Sequence, residues 1–148
     1  MKKIIGGNRK KKYSSKPLIS IISVVLNQEK KILRNIKSVK NQTYKHFEHI
    51  IIDGGSSDKT LKIIKKYEKS IYYWESCKDK GIFNAMNKGL KKANGDIIGI
   101  LNGDDFFYKN TFKYVEKYFS NNKIDFLFGA IKKKRVVTGF HPKSIKWK

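Results

Sequence analysis

From Leu18 onward the chain alternates between two hydrophobic rhythms. Ile19–Leu26 is a β-branched run long enough for one buried strand, and Ile32, Ile36 and Val39 then recur at helical spacing. Phe47–Ile52 predicts a second buried strand, closed by Asp53-Gly54-Gly55. Leu61, Ile64 and Tyr67–Glu68 mark a second amphipathic helix, with Ser56 or Ser57 as its predicted cap. Ile71–Trp74 predicts a short strand. Ile82, Met86, Leu90 and Ala93 form the apolar stripe of a third helix that Asn94-Gly95 would stop. Asp96–Leu101 predicts a further strand, Thr111–Phe119 a fourth helix and Ile124–Phe128 another strand.

Strands separated by helices of this length call for an α/β domain with a largely parallel sheet. In such a sheet, ligands bind beyond the carboxyl ends of the strands. That rule gathers acids that are scattered in the sequence. Asp53 follows one predicted strand, the Asp104-Asp105 pair follows another, and Asp79 precedes the third helix by a Lys80-Gly81 turn. All four are expected on one edge.

The 148 residues suit one domain, and a chain of this size buries ~70% of its unfolded surface. Hydrophobic residues make up 39% and aromatics 13%, enough for a packed core. No apolar run approaches the roughly 20 residues that span a bilayer, and the apolar stretch near Met1 is too short for a signal peptide. Cys77, the only cysteine, can form no internal disulfide, so a reducing, cytoplasmic location is expected.

The formal charge is +22, an excess that attracts nucleic acid or an anionic membrane surface. Its make-up argues against nucleic acid. Of 34 basic residues only Arg9, Arg34 and Arg135 are arginine, leaving 31 lysines, whereas base readers rely on arginine's bidentate fork. The charge gathers at the ends: residues 1–16 and 131–148 each carry seven basic side chains and no acid. Residues 1–16, with Gly6-Gly7, Ser14-Ser15 and no apolar period, are expected to be a flexible basic arm that ends at Pro17.

Each candidate motif has a structural alternative. Adjacent carboxylates at Asp104-Asp105 repel unless a cation or a hydroxyl-rich ligand relieves them, and hard cations bridge such groups to phosphates; the alternative is an exposed turn that caps the next helix. Asp53-Gly54-Gly55-Ser56-Ser57-Asp58 allows close backbone approach by a ligand, with Asp53 able to accept from a nucleobase imide; the alternative is a glycine turn leading to a cap. Asp79-Lys80-Gly81, followed by Asn84, Asn87 and Lys88, is a glycine-hinged helix start of the kind that favours phosphate, or an ordinary surface turn. Cys77, His46, His49 and His141 form no recognisable triad or metal spacing, and no Walker-type loop or dinucleotide fingerprint occurs.

Read together and in order, these segments resemble family 2 glycosyltransferases. The matching text is Pro17–Ile22, Asn27, Ser38-Val39 with Asn41–Tyr44, Glu48–Asp58, Asp79–Gly89, Gly95–Ile98 and Leu101–Asp105. It covers roughly residues 17–130. The resemblance implies a GT-A fold, a Rossmann-like α/β arrangement with a mostly parallel sheet flanked by helices. It also implies transfer of a sugar from a nucleoside diphosphate donor, UDP-sugar being favoured, to a saccharide or lipid-linked acceptor hydroxyl. By position, Asn27, Asp53, Gly54, Asp79, Gly81 and Asp104 fall in the donor pocket, with Asp53 on the base and Asp104 nearer the ribose. Asp105 is the implied ligand of Mn²⁺ or Mg²⁺, which would neutralise the departing diphosphate. An acceptor hydroxyl, deprotonated by a general base, would then attack the anomeric carbon with inversion.

Three features depart from that pattern. Leu26 stands where relatives carry an aromatic residue close to the base, a loss expected to weaken donor binding or alter base preference. Asn102 stands where many have a further acid. The chain stops at Lys148, about where the acceptor-binding half begins, so residues 17–148 are expected to be a donor-binding domain incomplete at its C-terminus. The general base lies in that further half: Glu116, expected on a helix, and Asp125, expected at a strand start, are not placed to replace it. Two other readings remain, a donor-binding fragment without turnover and a basic nucleic-acid or anionic-surface binder. Relatives often build surface polysaccharides or glycolipids, and the basic arm suits peripheral contact with the inner membrane face.

Overall fold

The computed structural model describes residues 3–8, 15–122, 124–129, 131–133 and 136–138, the last two segments as backbone. Two compact units divide the chain, Met1–Lys113 and Tyr114–Lys148. The elements run β1 (Ile4–Gly6), β2 (Ile19–Val25), α1 (Ile32–Lys40), β3 (Phe47–Asp53), α2 (Thr60–Lys66), β4 (Tyr73–Ser76), α3 (Ile82–Leu90), β5 (Ile97–Asn102), α4 (Thr111–Asn121), β6 (Ile131–Lys133) and β7 (Val136–Thr138).

The first unit is built on a five-stranded sheet of order β1-β4-β3-β2-β5. The four strands β2 to β5 are parallel, and β1 joins the edge antiparallel to β4. All seven residues of β2 are buried, as a strand covered on both faces requires. Alternation along β3 feeds two cores. Ile51 packs with Val25, Ile32, Ile36, Ile64, Ile71 and Trp74 on the α1–α2 side. Ile50 and Ile52 pack with Ile22, Val24, Tyr73 and Ala85 on the α3 side.

Several local expectations are corrected. The arm expected over residues 1–16 contains a paired strand: Ile4 lies opposite Ser76 and Gly6 opposite Trp74. A Cβ on Gly6 would come within 2.6 Å of the Trp74 ring, so glycine permits the close approach. Lys3 adds an ion pair to the buried Glu75 at 2.6 Å. Residues 9–14 of that arm lie outside the described residues. The fourth strand begins at Tyr73, not Ile71, because Ile71 is apolar for burial in the core and not for pairing.

The stripe predicted on α3 is borne out at Met86 and Ala93, which pack against the core, and displaced elsewhere. Ala85 and Gly89 are its buried residues, while Ile82 and Leu90 are 49% and 44% exposed. Small residues let this helix lie close on the sheet, for a Cβ on Gly89 would overlap Ile22 Cγ2. The helix ends at Leu90, short of Asn94-Gly95. Neither Ser56 nor Ser57 caps α2; the Thr60 N–H donates to Asp58 Oδ1 at 2.9 Å.

In the second unit, β6 and β7 form an antiparallel hairpin with Ile131 opposite Thr138. The strand expected over Ile124–Phe128 does not form, and Asp125 begins no strand. Phe126 and Phe128 are 71% and 66% exposed. An apolar run becomes a strand only where a neighbour takes its backbone hydrogen bonds, and among the described residues this run has no such ladder. Among the described residues no helix is long and apolar enough to cross a membrane.

Candidate functional site

The chain leaves β2 for β3 and β4 on one side, then returns to place β5 on the other. That reversal is a topological switch point, where parallel α/β sheets open a crevice beyond their strand ends. Val25 of β2 pairs with Asp53, and Val24 pairs with Asn102. The predicted acids therefore emerge on either side of one central strand.

On the β3 side, Asp53 is fully buried. Its Oδ1 accepts from the Ser56 hydroxyl at 2.5 Å and the Ser56 N–H at 3.3 Å. Its Oδ2 accepts from the Ser76 hydroxyl at 2.5 Å and the Ser56 N–H at 3.2 Å. Its acceptor capacity thus goes into holding the loop that follows β3. Asn27, at a positive φ of 50°, braces the same loop: its N–H donates to Ser56 Oγ at 2.8 Å, and its Oδ1 accepts the Ser57 N–H at 2.9 Å.

Further bonds zip the loops after β2 and β3 together. Gln28 N–H donates to Thr60 Oγ1 (2.8 Å), Glu29 N–H to Asp58 Oδ2 (3.0 Å), and Lys59 N–H to Glu29 Oε2 (3.0 Å). Burial pushes the Asp58 carboxyl up, but the hydrogen bonds from Thr60 and Glu29 outweigh it and hold the group below the usual carboxylate range.

Asp79 joins this corner directly. A Cβ on Gly54 would lie 2.9 Å from Asp79 Oδ2, so the carboxylate rests over bare backbone. Its Oδ1 accepts the Gly81 N–H at 2.9 Å, and Gly81, at φ 104°, makes the turn into α3. The structure thus brings together Asn27, Asp53, Gly54, Asp79 and Gly81 through contacts and the turn.

On the β5 side, the Gly103 N–H donates to Val24 O at 2.9 Å and turns the chain sharply. Asp104 is half-exposed and meets Lys31 Nζ at 3.3 Å. Asp105 is exposed, and its N–H closes a turn onto Asn102 O at 3.0 Å. Among the described residues no group of three His, Cys, Asp or Glu could hold a metal ion. A hard divalent ion that takes one or two carboxylates and completes its shell with phosphate and water needs no such group. The exposed carboxylate of Asp105 fits that mode.

Comparison with known proteins agrees with this architecture. Residues 20–148 match the sequence model described as Glycosyl transferase family 2. The chain belongs to glycosyltransferase family 2.

An uncharacterised family relative from Mycobacterium tuberculosis is 38% identical over 95 residues, 64% of this chain and 36% of its own length. The chain thus spans about a third of that curated relative. S. aureus TarS 1–349, solved in complex with UDP-GlcNAc, is 27% identical with a TM-score of 0.64, covering 70% of this chain and 31% of that one. The mannosyltransferase PcManGT from Pyrobaculum calidifontis, solved with GDP-Man and Mn²⁺, is 18% identical with a TM-score of 0.64, over 75% of this chain and 34% of that one. At that identity the likeness concerns the fold alone. The fold of this family 2 glycosyltransferase chain is GT-A.

Several residues at the site were given no role by sequence, although Ser38 and Gln42 fall in the matching text. Lys31, Asn35, Ser38 and Gln42 all contact the segment after β5. The signal for Asn35 was a polar side chain within the apolar arc of Ile32, Ile36 and Val39. His49, a polar residue inside the apolar run of β3, carried the same signal; it is buried and bonds to Ser23 Oγ at 2.9 Å. His141 lies outside the described residues. Leu26 is 54% exposed beside Asn27, at the rim of this corner.

Proposed function

We propose that this chain forms the donor site of a glycosyltransferase that moves a sugar from a nucleoside diphosphate, UDP being favoured, to an acceptor hydroxyl. The observation that carries the reading is the joining of Asn27, Asp53-Gly54 and Asp79-Gly81 on one side of the end of β2, with Asp104-Asp105 following β5 on its other side. The UDP-GlcNAc complex of TarS supports a nucleotide-sugar donor. On this reading the Asn27–Gly54–Asp79 corner takes the base, and Asp104 faces the ribose. Asp53 organises the base-side loop, and direct contact with an imide requires Ser56 to release one of its oxygens.

Asp105 would hold Mn²⁺ or Mg²⁺. When bound, such an ion supplies Lewis-acid stabilisation of the leaving diphosphate. Lys31 lends the same corner a second positive charge. Transfer proceeds with inversion, the acceptor being a saccharide or lipid-linked hydroxyl in polysaccharide or glycoconjugate synthesis. The protein is placed in the cytoplasm, with peripheral contact at the inner membrane face.

A second reading, donor binding without transfer by this chain alone, is favoured by one observation. Glu116 lies on α4, where its Oε1 accepts the Ser120 hydroxyl at 3.3 Å, and Asp125 lies in a loop. Among the described residues, neither is seen beside a group that would make it a general base.

Calorimetric titration of UDP with and without Mn²⁺ tests the site. Manganese-dependent binding is expected in the wild type and absent in Asp105→Asn. Equal enhancement in both would remove Asp105 as the metal ligand. Sugar transfer by the chain alone would remove the second reading.

A further inference from the structure

We propose that α1 and the residue pair beyond its end act as a positioning clasp for the Asp104-Asp105 turn, with Asn35 as the principal residue and Ser38 and Gln42 completing it. The proposal rests on the reading of that turn as the metal-binding corner. Between β5 and α4 the chain has no regular secondary structure, so its backbone groups must find partners elsewhere. Several of them find side chains of α1 and of Gln42 just beyond its end. Asn35 Nδ2 donates to Asn102 O at 2.9 Å and Asp105 O at 3.2 Å. Ser38 Oγ accepts the Phe107 N–H at 3.1 Å. Gln42 Nε2 donates to Tyr108 O at 2.7 Å, and its Oε1 accepts the Phe112 N–H at 3.1 Å.

Both amides are fully buried, so each lost partner leaves polar groups unsatisfied in the interior. The orientation of Asn35 is itself determined. Two carbonyls demand its NH₂, which turns Oδ1 to the Ser23 hydroxyl at 3.1 Å. With the single hydroxyl proton of Ser23 spent there, His49 Nε2–H donates to Ser23 Oγ. A chain of buried bonds therefore runs from β3 through β2 and α1 to the carbonyl of Asp105. The same helix adds the Arg34 guanidinium 4.1 Å over the Phe106 ring. The arrangement ties down the backbone of Asp105 and leaves its side chain exposed to a ligand.

The test combines amide hydrogen exchange over residues 102–112 with the ratio of UDP affinities in the presence and absence of Mn²⁺. Asn35→Ala and Gln42→Ala are compared with wild type and with Glu48→Gln. Glu48 anchors Ser20 and Asn94 at the opposite end of the sheet, so its variant controls for lost stability. Asn35→Ala is expected to speed exchange at 103–108 while β2 and β3 stay protected. Metal-free UDP affinity should hold, and the manganese enhancement should fall ~10–100-fold, as when the partners of a metal ligand are removed. Gln42→Ala, which spares the bonds to Asn102 and Asp105, carries the same prediction at smaller size should Asn35→Ala fail to fold.

Unchanged exchange in the variants overturns the clasp. So does faster exchange with full manganese enhancement, because the side chains would then serve the fold and not the site. A wild type without manganese enhancement counts against the metal reading of Asp105, and exchange alone then decides the clasp.

Discussion

Lowering the pH from 7 to 5 acts on one buried side chain in a way the structure makes quantitative. His49 sits in the central part of β3, 2% exposed, and burial holds its imidazole down at about 3 against an ordinary value of 6.5. In the fold it is neutral and bonds to Ser23. Below pH ~6.5 the unfolded chain takes up a proton that the folded chain refuses until about pH 3. The unfolded state binds more protons throughout that window, so stability rises with pH there and is lost as pH falls. The slope is ~1.4 kcal/mol per pH unit, and pH 5 lies ~1.5 units below the ordinary value, which gives a loss of about 2 kcal/mol from this group. Urea denaturation at pH 7, 6 and 5, on wild type and His49→Gln, isolates the term. The variant should lose about 2 kcal/mol less than wild type over the interval. Parallel losses in the two proteins would refute the reasoning.

Two further outcomes follow from the same geometry. Gly54→Ala places a Cβ 2.9 Å from Asp79 Oδ2; the displaced carboxylate should weaken UDP binding roughly tenfold, ~1.4 kcal/mol, with little change in melting temperature. Lys3→Ala removes the cation beside Glu75. Burial pushes that carboxyl up, and the bonds from Lys3 and Tyr73 outweigh it and hold it below the usual range. Its stabilisation is therefore present above the ordinary carboxylate range and lost as pH falls through the folded value. Thermal unfolding should show Lys3→Ala less stable than wild type at pH 7, with the gap narrowing as pH falls below the ordinary carboxylate range.

What the sequence made legible depended on how local the cause was. The runs at Ile19–Val25 and Phe47–Asp53 were readable because strands covered on both faces are rich in β-branched apolar residues, here Ile21-Ile22, Val24-Val25 and Ile50–Ile52. The acids after β3 and β5 were readable because glycines at 54 and 103 break the apolar runs where the strands end. The face of α3 was read correctly at Met86 and Ala93 and missed at Ala85 and Gly89, which contribute by smallness that a hydrophobic stripe does not register. β1 is three residues long and offers no period to detect, and its pairing depends on Trp74 and Glu75 far along the chain. Phe126 and Phe128 had the composition of a strand and lacked a ladder to join. The clasp residues were hidden for a related reason. Asn35 and Gln42 serve main-chain atoms more than sixty positions away; a polar residue in the apolar arc of α1 marks Asn35 as buried, and nothing in the pattern names its backbone partners.

The central claim is that a nucleotide binds at the carboxyl edge of this sheet, and amide NMR during titration with UDP and Mg²⁺ tests it most directly. The account predicts shift changes concentrated at Asn27, Asp53-Gly54, Asp79–Gly81 and Asp104-Asp105, with the opposite edge around Glu48 and Asn94 unchanged. Changes spread over lysine side chains and abolished by modest salt, with those four segments silent, would contradict it.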